Sequence, residues 1–293
     1  MRIININRQL AKGAILSILY FIICAHESYS LSLSPVEKLL FQSRLSNIQS
    51  SIEQKFPSLL VSSSSCSSLD EKKENINNTN IILIFPGAGG IDDLVIELLE
   101  SINNHKNSDT LASIVDWKEY RGSILSAGYD SEKVGESIAD CIISKLPEGV
   151  ETVHSIGISV GSFAANAFAT SMKNSSIYTR LTLLDPFCLR GIWGTSYGSS
   201  NFGKDIDYTE HYLNTDDPVP STNDPLLRYC SVIDVTNAKE RDDFIVPDGD
   251  TMHSWPVAYY SRYVLKNDHD RDYAMRRFYY GENGYVKGSI KKL

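Results

Sequence analysis

Apolar and polar positions divide this chain into unlike stretches. Ala14 to Ala25 is a short, nearly unbroken apolar run. Residues 31–58 carry apolar side chains at helical spacing, at Val36, Leu39, Leu40, Leu45, Ile48 and Ile52, which predicts an accessory helix. Val61 to Asn80 is polar, with a serine run and a Lys/Glu/Asn tract, and reads as a low-complexity linker. The pattern changes at Ile81-Ile82-Leu83-Ile84-Phe85, an uninterrupted β-rich run of the kind that parallel sheets bury on both faces. Beyond it the period switches back and forth. Ile91–Ile102 predicts a helix, Ser113–Trp117 a strand, Val134–Leu146 a helix and 152–158 a strand. Ser162–Met172 then predicts a helix, and Leu181–Leu184 and Cys230–Ile233 predict strands. Arg190 to Leu226 reads as an irregular rim.

This alternation predicts an α/β fold over residues 81–293, with a mostly parallel central sheet and helices on both faces. Length allows it, since one α/β domain of ~250 residues is ordinary. Residues 31–80 form the helix and linker, and residues 1–30 read as a signal peptide. Arg2, Arg8 and Lys12 precede the apolar run, small residues follow it, and the run is short for a membrane span of ~20 residues. Secretion or delivery to an endomembrane lumen is therefore expected, with onward organelle targeting compatible. The net charge of −8 argues against nucleic acid as a partner. Transient contact with a lipid surface remains compatible, and a monomer is expected.

Five cysteines occur, of which Cys24 belongs to the signal. Cys66, Cys141, Cys188 and Cys230 permit three pairings into two disulfides; Cys188 with Cys230 is favoured, and Cys141 reads as a buried thiol. Asn77 and Asn174 head glycosylation sequons.

The chemistry-bearing feature is Gly157-Ile158-Ser159-Val160-Gly161. An apolar strand precedes it and a small-residue helix follows. In that setting it reads as the nucleophile elbow of α/β-hydrolases, where the serine occupies a strained turn and Gly157 and Gly161 relieve crowding. An activated serine needs a base, an orienting acid and donors for the oxyanion. Asp185 ends a strand, with Pro186 stopping the ladder behind it, and is the candidate acid. Asp234, on a later strand, is its rival. His253 is the candidate base, because it lies between a polar loop and the aromatic Trp255–Tyr260 segment. Among the other histidines, His154 reads as part of the sheet wall and His211 as part of a polar loop. His26, His105 and His269 fall in the signal, an Asn-rich loop and a surface turn. Pro86-Gly87-Ala88-Gly89-Gly90 follows the first strand, so the N–H groups of Ala88 and Val160 are the expected oxyanion donors. No metal or organic cofactor is expected.

Three further stretches accompany the elbow. They are Val115-Asp116-Trp117 with Ser126-Ala127-Gly128-Tyr129 and Val134-Gly135, then Arg180–Pro186, then Val232-Ile233 with His253 through Tyr260. Together they resemble the pancreatic/lipoprotein lipase family, phospholipase A-type enzymes included, over roughly residues 81–265. The resemblance implies a serine ester hydrolase acting on lipid or other carboxylic esters, with Asp185 rather than Asp234 as the acid. Pro86-Gly87-Ala88 departs from that family's His-Gly-aromatic loop, and no lid disulfide or C-terminal β-sandwich has a counterpart. An acyltransferase with the same triad, or an inactive lipase-like binding protein, are the alternative readings.

Overall fold

The computed structural model describes residues 79–293 apart from 107–109, 118–123, 146–148, 191–196, 220, 223–226, 267–272 and 282–283. The expected signal peptide, accessory helix, most of the linker, Cys66 and the Asn77 sequon lie outside the described residues.

Seven strands form one parallel sheet: β1 (Thr79–Phe85), β2 (Thr110–Ile114), β3 (Val150–Ile158), β4 (Tyr178–Leu184), β5 (Tyr208–Leu213), β6 (Ser231–Asp234) and β7 (Ile290–Lys292). Their spatial order is β2-β1-β3-β4-β5-β6-β7. The sheet grows outward from β1 in both directions, so the switch point lies between β1 and β3. A crevice opens at the carboxyl ends of strands at such a point. The register carries this further. Phe85 pairs with Gly157, Ile158 with Leu184, Leu184 with Tyr212, and Leu213 with Asp234. The loops after β1, β3, β4 and β5 therefore emerge side by side along one edge.

Helices cover both faces, each over its own apolar layer. On one side lie α2 (Ile124–Lys145) and α3 (Gly161–Asn174), with Phe163, Phe168, Val134 and Ile138 buried against Leu181 and Leu183. Helix α3 is built of small residues, and its backbone comes so close to α2 that a Cβ on Gly135 would sit 2.2 Å from the Ala164 carbonyl oxygen. The opposite face carries α1 (Asp93–His105) and α5 (Trp255–Tyr259). Asp92 caps α1 by accepting the Val95 N–H at 2.9 Å, and Leu94, Val95, Leu98 and Ile102 form its buried stripe. Among the described residues, no helix is long and apolar enough to cross a membrane.

Two expectations need correction. The stretch 190–226 is not wholly irregular: it holds the short helix α4 (Tyr197–Asn201) and the fully buried strand β5. His211, expected on a polar loop, is buried in β5, where desolvation pulls its pKa down to about 3. Thr209-Glu210-His211 reads as polar, yet Glu210 is paired inside the sheet with Arg180 of β4 at 2.5 Å and accepts the Thr182 hydroxyl at 2.6 Å. A buried charge is tolerated when it is paired and hydrogen-bonded in this way. The second correction concerns Cys188 and Cys230, which form no disulfide. Both thiols are buried, with Cys188 Sγ facing the Pro186 carbonyl at 3.3 Å and Cys230 Sγ facing that of Phe202 at 3.8 Å. Cys141 is a buried thiol, as expected, and Asn174 is exposed at the end of α3.

Candidate active site

Ser159 stands between β3 and α3 with φ of +51°, in the left-handed region. A non-glycine residue held there is strained, and the surrounding structure must enforce it. Here the enforcement comes from both sides. The Ser159 N–H donates to the Leu184 carbonyl at 3.1 Å, and the Ser159 carbonyl accepts the Phe187 N–H at 3.1 Å. Both flanking glycines are sterically required. A Cβ on Gly157 would lie 2.6 Å from the Ser162 Cα, and one on Gly161 would lie 2.2 Å from the Phe85 carbonyl oxygen. The loop after β1 passes equally close, since a Cβ on Gly87 would be 3.0 Å from the Ser159 Cβ.

Asp185 caps β4 in the same unusual conformation, with φ of +47°. Its N–H donates to the Tyr212 carbonyl, and its Oδ1 accepts the Asn214 N–H, both at 3.1 Å. Its Oδ2 lies 3.0 Å from His253 Nδ1. His253 belongs to a 3₁₀ turn (Met252–Ser254) that Thr251 caps through its side chain, and Trp255 anchors the following helix by donating its indole N–H to the Val235 carbonyl at 2.8 Å. The sequence-predicted acid and base are thus in contact. Asp234 is not part of this contact: its carboxylate is buried at the end of β6 and accepts the Thr236 N–H at 3.0 Å.

Sequence reasoning missed Asp217. Its Oδ2 lies 2.7 Å from the same His253 Nδ1. It sits on the loop after β5, and since that strand was not recognised, no signal marked Asp217 as lying at a strand mouth. Electrostatically the three groups form one unit. Burial works against the charged imidazole, but hydrogen bonds to Asp185 and Asp217 outweigh it and push His253 up to about 9. Burial raises Asp185 to about 7 against the pull of His253. Asp217 is also penalised by burial, but hydrogen bonds from His253, Thr222 and the Val219 N–H bring it below the ordinary carboxylate value.

His253 Nε2 is buried and has no hydrogen-bond partner among the described residues. His253 and Ser159 line one cavity of about 210 Å³, together with Gly87, Ala88, Leu94, Val95, Ile158 and Val257. Ala88, one expected oxyanion donor, is on that wall. Val160, the other, directly precedes α3 and contributes an N–H at the helix's positive end. The donor atoms of Asp185, Asp217 and His253 lie within 4.8 Å of one another, close enough to serve a metal ion. At 2.7 and 3.0 Å, however, both carboxylates are at hydrogen-bonding distance from Nδ1. The remaining oxygens accept the N–H groups of Asn214 and Val219, and Asp217 Oδ2 also accepts the Thr222 hydroxyl. That is the environment of a protonated ring nitrogen rather than of a metal ligand.

His154, expected in the sheet wall, is buried there between the Ala274 carbonyl and the Thr182 hydroxyl, each at 2.7 Å. Comparison of the sequence with protein-family models gives no match, and comparison with curated proteins gives none.

Proposed function

We propose that this chain is a secreted serine ester hydrolase of the α/β-hydrolase fold. The observation that carries the reading is the strained Ser159, which shares a cavity with the Nε2, unpartnered among the described residues, of a histidine whose Nδ1 faces buried carboxylates. The parallel sheet, with the serine directly after a central strand and before a helix, is consistent with that fold.

In this reading the Ser159 hydroxyl attacks the ester carbonyl as His253 Nε2 takes its proton. The Ala88 and Val160 N–H groups receive the developing oxyanion. His253 then returns the proton to the leaving alcohol, and water repeats the sequence on the acyl-enzyme. The cavity is smaller than the roughly 300 Å³ at which sites for drug-sized ligands begin. Its apolar wall of Leu94, Val95, Ile158, Val219 and Val257 suits a short acyl group; a long lipid chain would have to extend outside it.

The test is labelling with a fluorophosphonate probe, followed by a panel of p-nitrophenyl esters of increasing chain length. Wild-type protein should label at Ser159 and prefer short chains. Ser159→Ala should fold normally, fail to label, and lose turnover by roughly 10⁶-fold. Labelling retained in that variant would end the assignment. An unlabelled wild type would favour a binding role.

A further inference from the structure

Two carboxylates reach one imidazole nitrogen from the ends of two neighbouring strands. Asp185 comes from β4 and Asp217 from β5, and both side chains are 0% exposed. One acid is enough to orient a histidine. A second, fully buried beside the first, carries a desolvation cost that needs a reason.

The local turn does not supply that reason. Asp217 Oδ1 accepts the Val219 N–H at 3.0 Å, and Oδ2 accepts the Thr222 hydroxyl. The Val219 N–H needs only one acceptor, which an asparagine carbonyl also provides, and the Thr222 hydroxyl can donate instead to the Val219 carbonyl at 2.9 Å while accepting from an amide N–H. What distinguishes a carboxylate is its charge. Among the described residues, the one cationic partner within ion-pair distance of Asp185 or Asp217 is His253. The other acidic groups at the cavity, Asp92 and Asp250, are exposed and accept the N–H groups of Val95 and Thr251. Asn214 links the pieces, giving its N–H to Asp185 and its side-chain amide to the Met252 carbonyl at 2.8 Å. The end of β5 therefore holds one acid, supplies the other, and anchors the turn that carries the base.

We infer that Asp217 is a second positioning residue for His253, sharing with Asp185 the task of holding the Nδ1 proton and stabilising the imidazolium as Ser159 is deprotonated. This rests on the hydrolase reading for its catalytic consequence, but not for its geometry. The duplication means that neither acid alone is indispensable. With either present, the proton stays on Nδ1 and the Nε2 lone pair faces the cavity.

The experiment uses the full chain with Asp185→Asn, Asp217→Asn and the double variant. It reads the fluorophosphonate labelling rate against pH and, separately, the His253 titration by NMR. Each single change should slow labelling by about 10- to 100-fold, and the double change by about 10⁴-fold, as for loss of a sole triad acid. Asp217→Asn should move the His253 midpoint down by about 1 pH unit or more. Should that variant not fold, Asp185→Asn decides the matter: with Asp217 in place its midpoint stays above the ordinary value of about 6.5. A midpoint unmoved by Asp217→Asn, a fall to the ordinary value in Asp185→Asn, or the full 10⁴-fold loss from Asp185→Asn alone would overturn the inference. If wild-type protein does not label at all, the hydrolase reading fails, while the NMR titration still decides the role of Asp217.

Discussion

The Phe187 N–H donates to the Ser159 carbonyl across 3.1 Å. This bond ties the turn that bears Ser159 to the segment leaving Asp185. Both Ser159 and Asp185 have positive φ, and both give their N–H to the next strand of the sheet, at Leu184 and Tyr212. The strain at each is sustained by continuing the ladder past the regular strand ends, where the loops begin.

Glycine at 161 is the most sharply required residue of that turn. Replacing it with alanine would drive a Cβ to 2.2 Å from the Phe85 carbonyl oxygen and 2.6 Å from that of Pro86, and backbone atoms cannot rotate aside. Gly161→Ala should cost more than about 3 kcal/mol, lowering the thermal midpoint by about 10 °C and abolishing labelling of Ser159. An unchanged midpoint would mean that β1 and α3 do not approach as described.

The pH dependence follows from His253. In the proposed mechanism His253 accepts a proton only when neutral, and its folded-state pKa is raised to about 9. Ester turnover should therefore climb with pH through the neutral range and level off above about 9. Stability runs the other way. A group whose pKa is raised by folding stabilises the fold below its unfolded value and loses that contribution as pH rises through the folded one. Asp185, raised to about 7, acts with the same sign. Thermal midpoints should fall from about pH 6.5 to pH 9; a rise across that window would contradict the His253–Asp185–Asp217 pairing.

Arg180 holds the sheet to the segment that covers it. It pairs with Glu210, donates to the Tyr273 carbonyl at 2.5 Å, and stacks over Phe278 at 4.4 Å from the ring centroid. Arg180→Leu would strand the Glu210 charge, and such a break costs about 3–5 kcal/mol. Chemical denaturation should show that loss, whereas the pH midpoint of any remaining activity should stay in place, because this network is not bonded to the His253 cluster.

The short apolar run Phe244-Ile245-Val246 does not cover Ser159. Phe244 packs on Trp255 with ring centroids 5.2 Å apart, while Ile245 is 87% exposed. Together with a partly exposed Ser159, this predicts a site open in water. Activity on a soluble short-chain ester should saturate smoothly as concentration crosses the solubility limit, and a sharp rise at phase separation would point to a flap.

Local chemistry was enough to mark Ser159, Asp185 and His253 as candidates. An apolar strand, a glycine-flanked serine and a small-residue helix are contiguous, and an Asp-Pro stopping a strand is likewise a short-range pattern. The α/β class was legible for the same reason, since runs such as Ile81–Phe85 announce strands buried on both faces. Strand β5 was not legible. Its Glu210 and His211 read as polar, and only the sheet brings Arg180 and Thr182 beside Glu210 to make burial tolerable. With β5 hidden, Asp217 had no strand mouth to belong to, and Asp234 stood as the rival acid in its place. Which carboxylates meet the histidine was decided by the parallel register, because residues 185, 217 and 253 are remote in sequence and meet only where β4 and β5 end together.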